Sequence, residues 1–356
     1  MSQVPSSSPS ILVGARRIGA GAPCFIIAEA GVNHNGDPGL ARQLVDVAAA
    51  AGADAVKFQT FNAAKLIAPV APKAAYQRVT TGADESQLAM VRKLELPLAV
   101  FGELADLCRQ RGILFLSTPF DEESADALEA AGLPAFKIPS GEITNLPFLA
   151  YLTRMGRPLI LSTGMSSLGE VETALQTVRA AGNPPIALLH CVSSYPASPC
   201  EVNLRAMHTL AGAFGVPVGY SDHTLGIEVP LAAVALGACI IEKHFTLDRA
   251  MSGPDHKASA DPAELKALVQ GIRTVEASLG HGRKEAAPGE ADTAAAARRS
   301  LVAARDIPAG TALTPELITA MRPGTGLPPS AKPYLLGRTT CVTITQGSLL
   351  SLEMLA

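Results

Sequence analysis

No stretch of this chain is apolar for long enough to cross a bilayer, although hydrophobic residues make up 48% of it and charged residues only 17%. A strong charge of either sign is also missing. The formal net charge is -3 and the isoelectric point near 6.2, so no basic field is available for nucleic acid or an anionic membrane. The six cysteines (Cys24, Cys108, Cys191, Cys200, Cys239, Cys341) contain no CxxC pair, which argues against a zinc knuckle or a disulfide framework. Three of them fall in apolar runs, so free buried thiols are expected. Met1 to Ser10 has neither the charged region nor the apolar core of a secretory leader, and a cytoplasmic protein is expected. A glycine-rich dinucleotide turn is absent as well: the first turn reads Ala30-Gly31-Val32-Asn33-His34-Asn35-Gly36, without the G-x-G-x-x-G spacing.

Present instead are eight short apolar runs, each ending in polar residues: 24–29, 55–59, 114–118, 135–140, 159–163, 186–191, 217–223 and 239–244. Segments of helical period lie between most of them, such as 40–51, 101–111, 124–131 and 170–181. Strands alternating with helices predict a parallel sheet, and eight units predict an α/β fold closed into a (β/α)8 TIM barrel. At 356 residues the chain exceeds a typical barrel of roughly 250, so a second domain is expected. The boundaries read as a barrel over 1–280, a Gly, Ala and charge-rich linker over 281–297, and a small, mostly β domain over 298–356. A long connection, 62–95, carries Lys65, Lys73, Tyr76, Gln77 and Arg78 and reads as a lid or substrate loop.

A barrel enzyme gathers its site at the C-terminal strand ends, where the chemically capable residues of this chain fall. His223 and His244 end consecutive strands, so their rings can converge on a divalent cation while leaving positions open for water and a substrate oxygen. Ligand type admits manganese, magnesium, zinc and cobalt. Lys57 and Lys137, with Thr118, Ser140, Ser162 and Ser221, form a ring of cations and hydroxyls suited to a phosphate plus a carboxylate, as in phosphoenolpyruvate. A Schiff-base lysine would instead make a class I aldolase, a reading the histidine pair opposes. The lesser alternative is that one lysine merely balances Glu29 or Glu142 in a buried structural ion pair. Those two glutamates are the candidate general acid and base. Asp222 and Glu242 are orienting residues or ligands, Asn33 and His34 line the site or form the turn, and His190, His208, His256 and His281 carry no role. Arg322, inside the turn Arg322-Pro323-Gly324-Thr325-Gly326, presents one guanidinium able to reach another domain or subunit.

The strings AEAGVNHNGD (28–37), VKFQTF (56–61), STPFDEES (117–124), KIPSGEITNLP (137–147), STGM (162–165), GYSDHT (219–224), EKHFTLD (242–248) and SGPDHKAS (252–259) resemble the sialic acid synthase family. These are nonulosonate synthases, among them N-acetylneuraminate and N,N'-diacetyllegionaminate synthases. The tail from Arg298 is similar to the antifreeze-like SAF (β-clip) domain that follows their barrel.

The resemblance implies condensation of phosphoenolpyruvate with an open-chain N-acetylmannosamine-type sugar, with release of phosphate by carbon–oxygen cleavage. The sugar is N-acetylmannosamine or 2,4-diacetamido-2,4,6-trideoxymannose. It further implies Mn2+, with Mg2+ or Co2+ as alternatives, held by His223 and His244 and activating the sugar aldehyde. Phosphoenolpyruvate would be bound by Lys57, Thr118, Lys137, Ser140, Ser162 and Ser221. The segment Cys191-Val192-Ser193-Ser194-Tyr195 stands where some neuraminate synthases place an asparagine, and Ser193 would also contact substrate. Glu142 would be the base for the attacking water, while Glu29, Gln59, Tyr195 and Asp255 would contact the sugar or bound water. Arg322 would come from the partner subunit of a domain-swapped homodimer to hold the N-acyl group. The wording of 28–37 and 138–147 leans toward the legionaminate branch. A metal-assisted or Schiff-base lyase acting on a sugar acid, and a non-catalytic carbohydrate-binding protein, are the rival readings.

Overall fold

The structure, a computed structural model, describes residues 9–82 and 84–356. The chain divides into two units, one ending at Gly280 and the other spanning His281–Ala356.

The first unit opens with an antiparallel hairpin, β1 (Ser10–Val13) and β2 (Arg16–Gly19). Eight strands follow: β3 (Phe25–Gly31), β4 (Ala55–Thr60), β5 (Leu114–Pro119), β6 (Phe136–Ile138), β7 (Leu159–Ser162), β8 (Ile186–Cys191), β9 (Val218–Asp222) and β10 (Ile240–His244). Their order in the sheet is β5-β4-β3-β10-β9-β8-β7-β6, every pairing parallel. Pairing β10 with β3 brings the last strand beside the first, as in a barrel. The barrel is nearly closed, since β5 and β6 abut but no hydrogen-bonded ladder joins them among the described residues.

The connecting helices show why their sequences fold so. Pro38–Ala51 starts on Asp37, whose side chain accepts from the Gly39 N–H, and ends at Gly52 in the left-handed region (φ 83°). It buries Ala41, Leu44, Val45 and Ala48, a stripe at helical spacing, against the outer faces of the strands. Pro262–Leu279 closes the unit from a capping box, Asp261 with Glu264, and buries Leu265, Leu268, Val269 and Ile272.

Side chains alternate across each strand, and this alternation builds the interior. Phe25, Ile27, Ala55, Leu116, Ala135, Ile160, Ala187, Leu189 and Ile240 form one apolar cluster together with Ile11, Val13 and Ile18 of the hairpin, which thereby plugs the barrel at the strand starts. The intervening residues Ile26, Ala28, Val56, Ile138, Leu161, Leu188, Tyr220 and Ile241 point outward into the layer shared with the helices. Gly219 takes an inward position too crowded for a side chain, because a Cβ there would lie 2.4 Å from the Ile240 carbonyl oxygen.

Three features depart from the sequence reading. The fourth apolar run yields a strand of only three residues, since Pro139 follows Ile138 and Ser140–Glu142 turns as a 3-10 helix. The long connection holds three short helices, Ala63–Leu66, Ala75–Thr81 and Gln87–Arg92. All six cysteines are free; of the three in apolar runs Cys24 and Cys191 are buried and Cys239 is half-buried, while Cys200 and Cys341, outside those runs, are exposed.

In the second unit, β11 (Ser300–Ala303) pairs antiparallel with β12 (Ile318–Met321) around a core that includes Leu301, Ile307, Leu313, Leu335 and Ile344. The stretch read as linker carries a helix, Ala291–Ala297, and groups with this unit. The turn at Arg322 packs within it: Ser300 donates from its hydroxyl to the Pro323 carbonyl (2.7 Å) and accepts from the Gly326 N–H (2.8 Å).

Candidate active site

Continuing the same alternation along each strand carries the inward positions from apolar to polar. Ile27 is followed by Glu29, Ala55 by Lys57 and Gln59, Leu116 by Thr118, Ala135 by Lys137, Ile160 by Ser162, and Ile240 by Glu242 and His244. These residues line a cavity of about 520 Å³ at the C-terminal ends of the strands. Ser140, Ser193, Tyr195, Ser221, His223 and Asp255 line it too, so the cavity gathers every site residue expected from the sequence except two.

The exceptions are Glu142 and Arg322. Glu142 lies in the turn that Pro139 forces on the chain, off the strand alternation; its carboxylate accepts from the Asn145 amide (2.7 Å) and does not line the cavity. Arg322 belongs to the second unit, where it is exposed and its Nε donates to the Ala297 carbonyl (3.1 Å).

At the base of the cavity four buried charges interlock. Lys57 pairs with Glu29 and lies 3.8 Å from Glu242, while Lys137 lies 3.1 Å from Glu242. Lys57 also donates to the Thr118 hydroxyl (3.0 Å), and Ser221 donates to Glu242 (2.9 Å). The two carboxylates separate in proton affinity. Burial raises the pKa of Glu29 to about 7, with Glu242 adding to the rise and Lys57 opposing it. Burial also acts upward on Glu242, but Lys137 and Lys57 outweigh it and hold this carboxyl well below its usual range. With Glu29 protonated, two ammonium groups face a single carboxylate, and the base of the cavity becomes a receptor for an anion.

Hydroxyls complete that receptor over β6 to β8. The Gly164 N–H donates to Ser140 Oγ (2.9 Å), and a Cβ on Gly164 would collide with Ser193 Oγ at 2.3 Å, so glycine is what lets these groups crowd together. Ser162 Oγ is buried without a partner. A buried hydroxyl left unpaired is costly, and a ligand oxygen in the cavity would satisfy it.

Over β9 and β10 stand the imidazoles, ring centroids 5.4 Å apart. His223 Nδ1 donates to the Val192 carbonyl (2.7 Å), so in the neutral ring it is Nε2 that keeps the lone pair. His244 Nδ1 is buried without a partner. Burial, His223 and Lys57 together press the His244 pKa well down and keep the ring neutral. Burial acts likewise on His223, but Cys191 and Val192 outweigh it and raise its pKa; a cation bound there would displace that proton. With that proton displaced, two ring nitrogens and no third His, Cys, Asp or Glu in a common cluster, among the described residues, would leave positions open on an ion held there. Tyr195 lies against His223 (centroids 4.1 Å) and edge-on to His244 (5.8 Å), and Tyr76 of the insertion stacks on Tyr195 (5.1 Å). Asp255, fully buried nearby, has its pKa raised to about 6 by burial, with His223 opposing.

Several residues have settled structural roles. Asp222 points away from the cavity to Lys243 (2.5 Å) and to the Thr224 N–H (2.9 Å), anchoring the turn behind His223. Asn33 ties the first turn to the Phe245 carbonyl and to Ser259, and His256 bonds Thr246 and Asn35. In the insertion, Lys65 pairs with Glu123, Lys73 is held by Thr81, Gly82 and Glu85, and Arg78 is exposed, whereas Tyr76 and Gln77 line the cavity. Sequence reasoning left Glu242 among the undecided residues, yet its parity with Ile240 and His244 marks it as inward. It missed Gln87, Met90 and Val91 of the insertion, which carry no long periodic signal.

A family model described as the NeuB family matches residues 44–284, and one described as the SAF domain matches 298–356. The N,N'-diacetyllegionaminic acid synthase of Campylobacter jejuni is 52% identical over 316 residues, covering 88% of this chain and 95% of that protein. The protein of the same name from Legionella pneumophila is 48% identical, covering 96% and 97%. The solved structure of N-acetylneuraminic acid synthetase from Leptospira borgpetersenii superposes with a TM-score of 0.71 at 40% identity, covering 80% of this chain and 95% of that one. Among the described residues, no helix is long and apolar enough to cross a membrane. The chain belongs to the NeuB family, the sialic acid synthases, with a C-terminal SAF domain.

Proposed function

We propose that the protein condenses phosphoenolpyruvate with an open-chain, N-acetylated mannosamine-type sugar to give a nonulosonic acid and phosphate. The single observation that carries this reading is the juxtaposition, in one cavity, of an anion receptor built on Lys57, Lys137 and the unpaired Ser162 with two ring nitrogens fit for a divalent ion. The high identity to two N,N'-diacetyllegionaminic acid synthases favours 2,4-diacetamido-2,4,6-trideoxymannose as the acceptor.

His223 and His244 would hold Mn2+, or Mg2+ or Co2+ in its place, and such an ion supplies Lewis-acid polarisation of the sugar aldehyde. The protein's own groups do the rest. Lys57 and Lys137 hold the charges of phosphoenolpyruvate, while Ser140, Ser162, Ser193 and the Gly164 region orient its phosphate. The methylene carbon of phosphoenolpyruvate attacks the aldehyde carbon and the new alkoxide takes a proton. Water then adds at the phosphate-bearing carbon, left as an oxocarbenium, and gives up a proton; cleavage of the bond from that carbon to the phosphate oxygen releases phosphate and leaves the ketone. Glu29 and Asp255, both raised toward neutrality by burial, are the carboxyls suited to deliver the first proton and to accept one from water. This assignment takes the place of Glu142, which lies outside the cavity. Gln59, whose amide reaches Glu29 at 3.4 Å, and Tyr195 position the sugar.

Arg322 is assigned to the N-acyl group of sugar bound by a second subunit, in a domain-swapped homodimer. The free thiols accord with a cytoplasmic setting. The test is incubation with phosphoenolpyruvate, each acceptor in turn and Mn2+, following phosphate and the product mass. Phosphate appearing in step with a nonulosonate is expected. Cleavage of a nonulosonate to pyruvate without any phosphate-releasing condensation would favour the lyase instead.

A further inference from the structure

The cavity wall divides by strand. Hydroxyls stand over β6 to β8 and imidazoles over β9 and β10, whereas over β4 and β5, past Gln59 and Thr118, the wall turns apolar: Phe61 and Phe120, which follow these strands, meet edge to face (6.1 Å) and pack with Leu94 and Val91. The insertion covers this sector and, among the described residues, supplies no charged side chain to the lining. Its helix Gln87–Arg92 presents Gln87, Met90 and Val91 to the cavity, positions i, i+3 and i+4, so one helical face carries a single amide and then two apolar side chains, and Leu94 in the turn that follows adds a third. Met90 is fixed there, its sulfur accepting from the Thr81 hydroxyl (3.2 Å), and the Gln87 amide donates to Gln77 (3.3 Å).

On the condensation reading above, the phosphate end of the cavity and its carbonyl-activating end occupy two of the three sectors. The third must then receive the end of the acceptor remote from the aldehyde. We propose that the Gln87/Met90/Val91 face, backed by Phe61 and Phe120, is the specificity determinant of this site: it selects an acceptor ending in a methyl group over one ending in a hydroxymethyl, with Gln87 set to meet an amide substituent. A terminal hydroxyl placed against Met90 and Val91 would lose its water and gain no partner. A methyl there would be wrapped by apolar atoms.

The measurement is kcat/KM at saturating phosphoenolpyruvate and Mn2+ for two acceptors differing only at that carbon, N-acetylmannosamine and its 6-deoxy analogue. The wild type should prefer the deoxy sugar by roughly tenfold to a hundredfold, the range for one apolar contact in a pocket. Met90→Gln should cut that ratio by about fivefold or more, and the near-isosteric Val91→Thr, which guards against a folding defect in the first variant, should move it in the same direction. A wild type that prefers the hydroxymethyl sugar, or an unchanged ratio in folded Val91→Thr, would overturn the proposal while leaving the condensation reading intact. No phosphate from either sugar, nor from the diacetamido acceptor, would overturn both.

Discussion

Changing Glu242 to Gln probes the charge cluster directly, because it keeps the shape and deletes one charge. Lys137 lies 3.1 Å from this carboxylate and Lys57 3.8 Å, all three groups buried. At an effective dielectric of 20 these contacts correspond to about 5 and about 4 kcal/mol of Coulomb attraction. Most of this is offset by the cost of burying the ions, and removing one partner of a buried pair typically costs about 3–5 kcal/mol. Glu29 takes up part of the imbalance, since losing the neighbouring charge favours its ionised form, so a loss of about 3 kcal/mol is expected. For a unit of this size that corresponds to a drop in Tm of roughly 5 °C. Urea unfolding at neutral pH would measure it, repeated with phosphoenolpyruvate added. The anion should stabilise the variant more than the wild type, because the variant's lysines lack a counter-charge. A loss under about 1 kcal/mol, or equal stabilisation of the two proteins by the ligand, would refute the idea that Glu242 neutralises this receptor.

Ser162→Ala should raise KM for phosphoenolpyruvate about tenfold, by the loss of roughly 1.5 kcal/mol, yet leave thermal stability equal or slightly higher, because the hydroxyl is unpaired in the free protein. A fall in stability without a change in KM would contradict its role. Chelation should abolish turnover, and in a calorimetric titration His223→Ala should lose Mn2+ binding that the wild type displays. Arg322→Ala should raise KM for the sugar by tenfold to about a hundredfold, the equivalent of about 1.5–3 kcal/mol, with phosphoenolpyruvate binding intact. Loss of phosphoenolpyruvate binding would disprove the assignment. Burial lowers the pKa of His34 from 6.5 to about 4. Above pH 6.5 both folded and unfolded states hold it neutral; between 6.5 and 4 only the unfolded state takes the proton, so stability should fall by about 3 kcal/mol across that window. Acid titration of unfolding would show this slope, and His34→Gln should flatten it.

The barrel was legible because each strand is written twice: as an apolar run, and as a polar residue ending the inward series. That is why the sequence alone places Lys57, Lys137, His223 and His244 on one rim. Glu142 escaped the same logic. It lies beyond Pro139, where strand geometry ends and sequence spacing no longer tells which way a side chain points. The insertion was legible as an insertion only, since helices of four, seven and six residues carry too few turns to declare a face. Glu242 was within reach: parity with Ile240 and His244 puts it inward, and two lysines at the same level require a counter-charge.

One alternation rule therefore serves two opposed ends. At the strand starts the inward positions are Phe25, Ile27, Ala55 and Ile160, close-packed on the hairpin plug, and this layer holds the barrel together. A few residues later the same positions hold Glu29, Lys57, Lys137 and Glu242, which a purely stabilising design would replace with apolar side chains of similar volume. Their burial is what raises Glu29 toward neutrality and leaves Ser162 unpaired, so the features that weaken the upper layer are the ones that make it receptive to an anion. Stability comes from below and chemistry from above, and the strand ends at Pro139 and Asp222 mark where the chain leaves one regime for the freer geometry of the loops that finish the site.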